Sequence, residues 1–171
     1  MKEKENLSIA QVVKKYNLNP NKSLGQNFIF DKSLLNKIAS LSDPKGVEVI
    51  LEIGPGPGGL TRALIENGAN KIYLIEQDIR FKGPIDEIIN DYPNKIIVRY
   101  EDALKFNYLN QFSKNVVITS NLPFNIATPL LINWLSVDPW PGWWSRMILM
   151  FQKEVAERII AESCNKNYGR L

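Results

Sequence analysis

Short apolar runs alternate with amphipathic segments along most of the chain. Apolar runs of about four to eight residues between turn signals are typical of buried parallel strands. Five segments have this character: residues 47–53, 71–75, 95–100, 116–120 and 146–151. Apolar residues at helical spacing, which predict helices, occur in residues 7–16, 33–41, from 60 onward, 85–89, 127–135 and 153–162. Residues 104–115 are helical or irregular. This alternation predicts an α/β fold with a doubly wound, mostly parallel sheet.

Cap and breaker residues refine the boundaries of two helices. Asp31 stands where an N-cap is expected, because its carboxylate can accept the unpaired N–H groups of a first helical turn. Gly83 and Pro84 lie between the second predicted strand and the apolar residues 85–89. Since proline lacks an N–H and disrupts helix interiors, we expect this pair to interrupt that helix early.

A glycine-rich turn, residues 54–59, directly follows the first predicted strand and precedes a helix. A strand, a glycine turn and a helix in this order form the opening half of a nucleotide-binding βαβ unit. Pro55 and Pro57 each remove a backbone N–H that could otherwise donate to a diphosphate. The turn therefore favours S-adenosylmethionine, which has no phosphate, and a nicotinamide cofactor remains an alternative.

Polar residues follow the other predicted strands. Glu76 ends the second strand about 20 residues after Gly54, the spacing at which a carboxylate reaches ribose hydroxyls. Asp102 follows the third strand, within reach of a bound adenine. Each carboxylate alone could belong to an ordinary surface, but together they favour a nucleoside site. After the fourth strand, residues 121–124 offer an amide, a carbonyl and an aromatic face, which can hold a planar base with an exocyclic amine.

Composition and charge limit the possible chemistry. The 171 residues are 44% hydrophobic and carry a formal net charge of +3, which is compatible with nucleic-acid binding without requiring it. With no histidine and one cysteine, Cys164, the chain cannot form histidine bases, Ser-His-Asp triads, an intrachain disulfide or a multi-cysteine metal site. No apolar run approaches the roughly 18 residues of a membrane span, and the charged N-terminus lacks the apolar core of a signal peptide. We expect a cytoplasmic protein without a metal.

Three tryptophans, Trp140, Trp143 and Trp144, lie in the loop before the fifth predicted strand. They could stack on RNA bases. Large aromatic side chains also pack well against a neighbouring helix or a partner surface, and we prefer that interpretation.

Several motifs occur together in order from about residue 22 onward. They are Gly25-Gln26-Asn27-Phe28, Glu52-Ile53-Gly54-Pro55-Gly56-Pro57-Gly58, Glu76-Gln77-Asp78, Asp102-Ala103, Asn121-Leu122-Pro123-Phe124-Asn125-Ile126, Gln152-Lys153-Glu154-Val155-Ala156-Glu157-Arg158 and Tyr168-Gly169-Arg170-Leu171. As a set, they resemble the ribosomal RNA adenine dimethyltransferases, specifically the bacterial small-subunit enzymes. The resemblance implies a Rossmann-like methyltransferase fold and S-adenosylmethionine-dependent dimethylation of N6 of two adjacent adenosines near the 3′ end of 16S rRNA, within a precursor of the small ribosomal subunit.

The resemblance also implies roles for individual residues. The implied cofactor contacts are Asn27 and Ile29 in a loop over the methionine end, Gly54 beneath the cofactor, Glu76 at the ribose, Asp102 at the adenine amine and Asn121 between cofactor and target. The expected catalytic residues are Asn121, Leu122 and Phe124. In this mechanism, the Asn121 side chain and the Leu122 carbonyl accept N6–H bonds, and Phe124 stacks on the base.

The chain departs from the family in two ways. Phe124 stands where the family usually has tyrosine, so stacking is kept and a phenol hydroxyl is lost. The family continues beyond the Tyr-Gly-Arg-Leu motif into two more strands and a helical domain. We therefore expect an N-terminal helix and loop in residues 1–21, and an incomplete, truncated methyltransferase domain in residues 22–171. Without the later strands, residues 147–151 form an open apolar edge that invites self-association.

Three alternative functions remain open at this point. The first is a methyltransferase that acts on adenine in large-subunit rRNA or in DNA. The second is a non-catalytic RNA-binding assembly fragment, and the third is a nicotinamide oxidoreductase.

Overall fold

A five-stranded, all-parallel sheet forms the centre of the computed structural model, which describes residues 7–112 and 115–169. Its strands are β1 (Val49–Ile53), β2 (Ile72–Glu76), β3 (Ile96–Tyr100), β4 (Val116–Asn121) and β5 (Trp144–Met150). Their spatial order is β3-β2-β1-β4-β5. Because β2 and β4 lie on opposite sides of β1, the order reverses there, which is where open α/β sheets bind ligands.

Helices cover both faces of this sheet. In the described residues the α-helices are α1 (Ile9–Lys15), α2 (Lys32–Leu41), α3 (Gly59–Glu66), α4 (Lys82–Asp91), α5 (Tyr108–Gln111), α6 (Ala127–Leu135) and α7 (Lys153–Ile159). Ile50 of β1 packs in one core cluster with Leu64 of α3 and Ile85 of α4. Its neighbour Leu51 packs in the cluster on the other face, with Leu130 of α6. Since successive strand residues face opposite sides, both faces are apolar, and the predicted doubly wound α/β fold is confirmed.

Most predicted element boundaries agree with the structure, and one prediction is wrong. Gly83 and Pro84 do not interrupt α4 but lie in its first turn. A first-turn N–H has no partner within the helix, so proline is tolerated at that position. β5 begins two residues earlier than predicted, because Trp144 pairs with Val116 of β4 before a register shift. Residues 1–6, 113–114 and the Arg170-Leu171 end of the last motif lie outside the described residues.

The N-terminal helix packs on the same core as the sheet. Its N-cap is Ser8, whose hydroxyl accepts the Gln11 N–H, while the Gln11 side chain accepts the Ser8 N–H at 2.7 Å. Val12 and Leu18 are both buried, and Leu18 joins the core cluster on the α3 side of the sheet. The division of the chain at residue 21 stays a prediction.

The predicted cap of the next helix is confirmed, since Asp31 Oδ1 accepts the N–H groups of Ser33 and Leu34 at 2.8 and 3.1 Å. Among the helices of the described ranges, none combines the length and the apolar character that a membrane crossing requires.

The tryptophan loop contributes to the core. Trp143 is 2% exposed and stacks on Tyr108, with ring centroids 5.0 Å apart, and on Phe112 at 5.3 Å. Trp144 Nε1 donates to the Trp134 carbonyl at 3.1 Å. Trp140 is 59% exposed. The packing interpretation is confirmed for Trp143 and Trp144.

Replacing Trp143 with alanine should lower the free energy of unfolding by about 3–5 kcal/mol, because a buried indole is lost and a cavity is left beside Tyr108. Trp140→Ala is the matched control, and it should change that free energy by less than about 1 kcal/mol. Urea denaturation measures both values. Equally small effects would contradict a core role for Trp143.

Candidate active site

A cleft lies at the carboxyl ends of β1, β2 and β4. Its volume is about 830 Å³, including the solvent-filled space at its opening. Five of the predicted site residues line it: Asn27, Ile29, Gly54, Glu76 and Asn121. They come together because the carboxyl ends of parallel strands meet at one edge of a sheet. Leu122, Phe124 and Asp102 are not part of this lining.

Glu76 connects the glycine turn to the end of β2. Its Oε2 accepts the Gly56 N–H at 3.1 Å, and its Oε1 accepts the Asp78 N–H at 2.8 Å. Burial raises the pKa of Glu76 to about 7, although both backbone N–H bonds act in the opposite direction. Each carboxylate oxygen can accept a further hydrogen bond, so Glu76 can also receive ligand hydroxyls.

Gly54 brings the glycine turn close to the turn that follows β4. Its φ is +64°, and a Cβ at this position would lie 3.0 Å from the Cγ of Pro123. A side chain at this position would be strained by the conformation and would crowd the Pro123 ring. The residue that follows β1 therefore lies against Pro123 in the turn after β4.

Glu52 is a second buried carboxyl in the cleft, and sequence reasoning assigned it no role. Its Oε2 accepts a 2.7 Å hydrogen bond from the Thr61 hydroxyl. Burial raises the pKa of Glu52 to about 8, the Thr61 bond lowers it, and the nearby Glu76 raises it further. A cationic ligand next to these carboxyls would stabilise their ionised forms and lower both pKa values. The sequence did contain an indication of this residue, because Glu52 is the acidic residue of an otherwise apolar strand. Burial of such a residue is unfavourable unless it has a hydrogen-bond partner or a ligand.

The end of β4 is fixed by two hydrogen bonds. The Ser120 hydroxyl donates to the Ile53 carbonyl at 2.6 Å, which ties β4 to β1. Asn121 Nδ2 donates to the Asn27 carbonyl at 2.9 Å. Since a carbonyl oxygen can only accept, the nitrogen of the amide must face Asn27, and the position of Oδ1 is thereby determined. Leu122 is buried in the core below, and Phe124 is half-buried.

The loop that contains Asn27 forms one wall of the cleft. Phe28 packs edge-on against Phe81, with ring centroids 5.8 Å apart. Gln26 Nε2 donates to Asp78 Oδ2 at 2.9 Å, and the Arg80 side chain donates to both oxygens of Asp78. The hydrogen bond from Arg80 holds the pKa of Asp78 down to about 2. Sequence reasoning missed this network, because its members are far apart in the chain.

Asp102 contacts its own chain neighbours. Its Oδ1 accepts the Leu104 N–H at 2.9 Å, and Lys105 Nζ lies 3.9 Å from Oδ2. The flanking residues Glu101 and Ala103 line the cleft. A role for Asp102 at an adenine stays a prediction. Within the described ranges, no group of three or more Cys, Asp or Glu side chains is arranged to hold a metal ion.

The sheet order, the glycine turn and the strand-end cleft define a Rossmann-like methyltransferase domain. Among solved structures, the chain is similar to a dimethyladenosine transferase from Plasmodium falciparum, with 33% identity and a TM-score of 0.67, over 81% of this chain and 48% of that one. It is also similar to a 23S rRNA methyltransferase, with 25% identity and a TM-score of 0.64, over 77% of this chain and 50% of that one.

Sequence comparison identifies the family. Residues 17–171 match the family described as ribosomal RNA adenine dimethylase, and the chain belongs to that family. It is 48% identical over 164 residues to the ribosomal RNA small subunit methyltransferase A of Rhodopseudomonas palustris (strain BisB18). This match covers 95% of the chain and 57% of that relative, so the chain spans little more than half of the relative's length. The family predicted from the motifs is confirmed.

Glu52→Gln should make stability less dependent on pH. Because folding raises the pKa of Glu52 from 4.5 to about 8, its contribution to stability is complete below the lower value and is lost as pH rises through the higher one. Glutamine does not titrate, so the variant should gain about 1–4 kcal/mol relative to the parent between about pH 5 and pH 9. Urea denaturation across this range measures the difference. The exposed Glu48→Gln is the control, and a pH-independent difference for Glu52→Gln would contradict the assignment.

Proposed function

We propose that this chain carries the catalytic domain of a cytoplasmic enzyme that transfers methyl groups from S-adenosylmethionine to adenine N6. Its target is two adjacent adenosines near the 3′ end of 16S rRNA in a small-subunit precursor. The observation that carries the proposal is the amide of Asn121, held by the Asn27 carbonyl at 2.9 Å beside a cleft lined by the glycine turn. Membership of the family and the names of the relatives support the substrate.

The cleft suits S-adenosylmethionine better than a dinucleotide. Glu76 lines this cleft at the end of β2, and its ionised form attracts the sulfonium and ammonium groups of S-adenosylmethionine and repels a diphosphate. The free acceptor positions of Glu76 suit ribose hydroxyls. This charge distribution disfavours the nicotinamide alternative. The residues that we propose to hold the cofactor are Asn27, Ile29, Gly54, Glu76, Asp102 and Asn121.

The chemistry that S-adenosylmethionine supplies is an electrophilic methyl group. The amine of adenine is a weak nucleophile, because its lone pair is delocalised into the ring. In the first transfer, Asn121 Oδ1 and the Leu122 carbonyl accept one N6–H each, which favours a pyramidal and more nucleophilic nitrogen in the transition state. Phe124 stacks on the extruded base, and the fixed orientation of the base supplies much of the rate.

No side chain is needed as a general base. Once N6 has gained the methyl group it carries a positive charge, and its proton can leave to water. This is compatible with a chain that has no histidine.

Identity to relatives distinguishes the possible nucleic-acid substrates. The chain is 48% identical to a small-subunit methyltransferase and 25% identical to a 23S rRNA methyltransferase of known structure. The higher identity favours small-subunit RNA. Transfer assays with small-subunit particles, 23S rRNA and DNA compare the substrates directly, and RNA binding without transfer would instead support the assembly role.

We also propose that β5 mediates self-association. It is one of the two edge strands of the sheet in the described residues, the other being β3. Met147 and Leu149 pack against one core cluster and Ile148 against the other, yet all three are only half-buried. An edge strand with unpaired backbone groups and apolar side chains pairs readily with a second copy. Sedimentation velocity should therefore show concentration-dependent dimers, which Ile148→Lys should weaken. A monomer at all accessible concentrations would contradict this.

Replacing Asn121 with alanine should lower the rate of methyl transfer at least about 100-fold, because an acceptor used in the transition state is lost. Binding of S-adenosylmethionine should weaken less than about tenfold, since Glu76 and the glycine turn remain. Transfer of tritiated methyl groups to small-subunit particles and isothermal titration calorimetry measure the two effects. Asn133→Ala, at an exposed position of α6, is the control. A normal transfer rate in the Asn121 variant would refute the mechanism.

A further inference from the structure

The described residues that line the cleft include acidic side chains but no basic ones. Glu52, Glu76 and Glu101 contribute carboxyl groups, and neither lysine nor arginine occurs among these lining residues. Glu101 is exposed to solvent, whereas Glu52 and Glu76 are 2% and 4% exposed. A buried carboxylate needs a counter-charge or enough hydrogen bonds to remain ionised. The described lining therefore offers no cation to the two buried carboxyls.

Glu52 has less support for a negative charge than Glu76. Glu76 accepts two backbone N–H groups and interacts with the charges of Asp78 and Arg80. Glu52 accepts the Thr61 hydroxyl at 2.7 Å, the charge that acts on it is that of Glu76, and the neighbouring β4 contains no acidic or basic residue. Accordingly, burial raises the pKa of Glu52 to about 8 and that of Glu76 to about 7.

We propose that Glu52 is protonated in the ligand-free protein and releases this proton when a positively charged ligand binds in the cleft. The O–H bond of the carboxyl breaks, both of its electrons stay on the Glu52 oxygen, and the proton passes to the solvent. The new carboxylate balances the charge of the ligand. Thr61 is a positioning residue, because its hydrogen bond favours the ionised form of Glu52. This inference rests on the proposed function, since the cationic ligand is S-adenosylmethionine.

The proton of Glu52 makes the cleft sensitive to the charge of its ligand. S-adenosylmethionine has a positively charged sulfur atom, and S-adenosylhomocysteine, the product of methyl transfer, has a neutral one. Binding of the donor should therefore displace the proton, and formation of the product should allow Glu52 to bind a proton again. Release of the product then leaves no unbalanced charge on Glu52.

Isothermal titration calorimetry in buffers of different ionisation enthalpy measures how many protons are released on binding. At about pH 6.5, where the ammonium group of each ligand is protonated, S-adenosylmethionine should release at least about 0.5 proton more than S-adenosylhomocysteine. Glu52→Gln keeps an acceptor for the Thr61 hydroxyl but cannot ionise, so it should reduce this difference below about 0.2 proton. Glu48→Gln, at an exposed position, is the control and should match the parent.

A second variant keeps the test decisive if Glu52→Gln fails to fold. Thr61→Ala removes the hydrogen bond that favours the carboxylate, so the affinity for S-adenosylmethionine should fall at least about threefold and that for S-adenosylhomocysteine less than about 1.5-fold. Thr61→Ser should restore the affinity. Equal losses for both ligands would contradict the role of Thr61.

Two results would overturn the proton release and leave the proposed function standing. The first is equal proton release by the two ligands in the parent, and the second is an unchanged difference in Glu52→Gln. Binding of neither ligand to the parent would overturn the proposed function itself.

Discussion

The rest of the site depends on the two backbone hydrogen bonds that the buried carboxylate of Glu76 accepts. It is buried at the end of β2, and it accepts one N–H from the glycine turn and one from Asp78. Burial of a charged carboxylate is unfavourable, and for this reason the pKa of Glu76 is raised. The two backbone bonds offset part of that cost, and a cationic ligand would offset more. The same bonds tie the glycine turn after β1 to the end of β2 at the cleft, so Glu76 both supports the structure and faces the ligand site.

The sheet explains why the cleft lies where it does. Both faces of β1 are covered, with Ile50 on one side and Leu51 on the other, so ligands can approach only at the strand ends. The reversal of strand order beside β1 opens a gap between the connections there. Asn121 stands at the end of β4, the neighbour of β1 across this gap. The methyl donor and the target base of the proposed function would therefore meet at this edge of the sheet.

The sequence allowed prediction of features that depend on local pattern. Apolar runs located all five strands, and the glycine turn with its two prolines indicated a ligand without phosphate. The sequence pattern wrongly predicted that Gly83 and Pro84 interrupt α4. Proline disrupts a helix interior but is tolerated in the first turn, where these residues lie. The pattern also did not predict the bond between Thr61 and the buried Glu52, or the bonds that Gln26 and Asn27 make with Asp78 and Asn121. These depend on which strands become neighbours and on the register between them, and single-sequence patterns do not contain that information.

Product analysis tests most directly whether this cleft methylates adenine N6. Small-subunit particles that lack the modification would be incubated with the protein and S-adenosylmethionine, and the RNA would be digested to nucleosides for mass spectrometry. We expect N6,N6-dimethyladenosine at two adjacent positions near the 3′ end of 16S rRNA. Methyl groups on another atom, or none in particles that bind the protein with cofactor present, would contradict it.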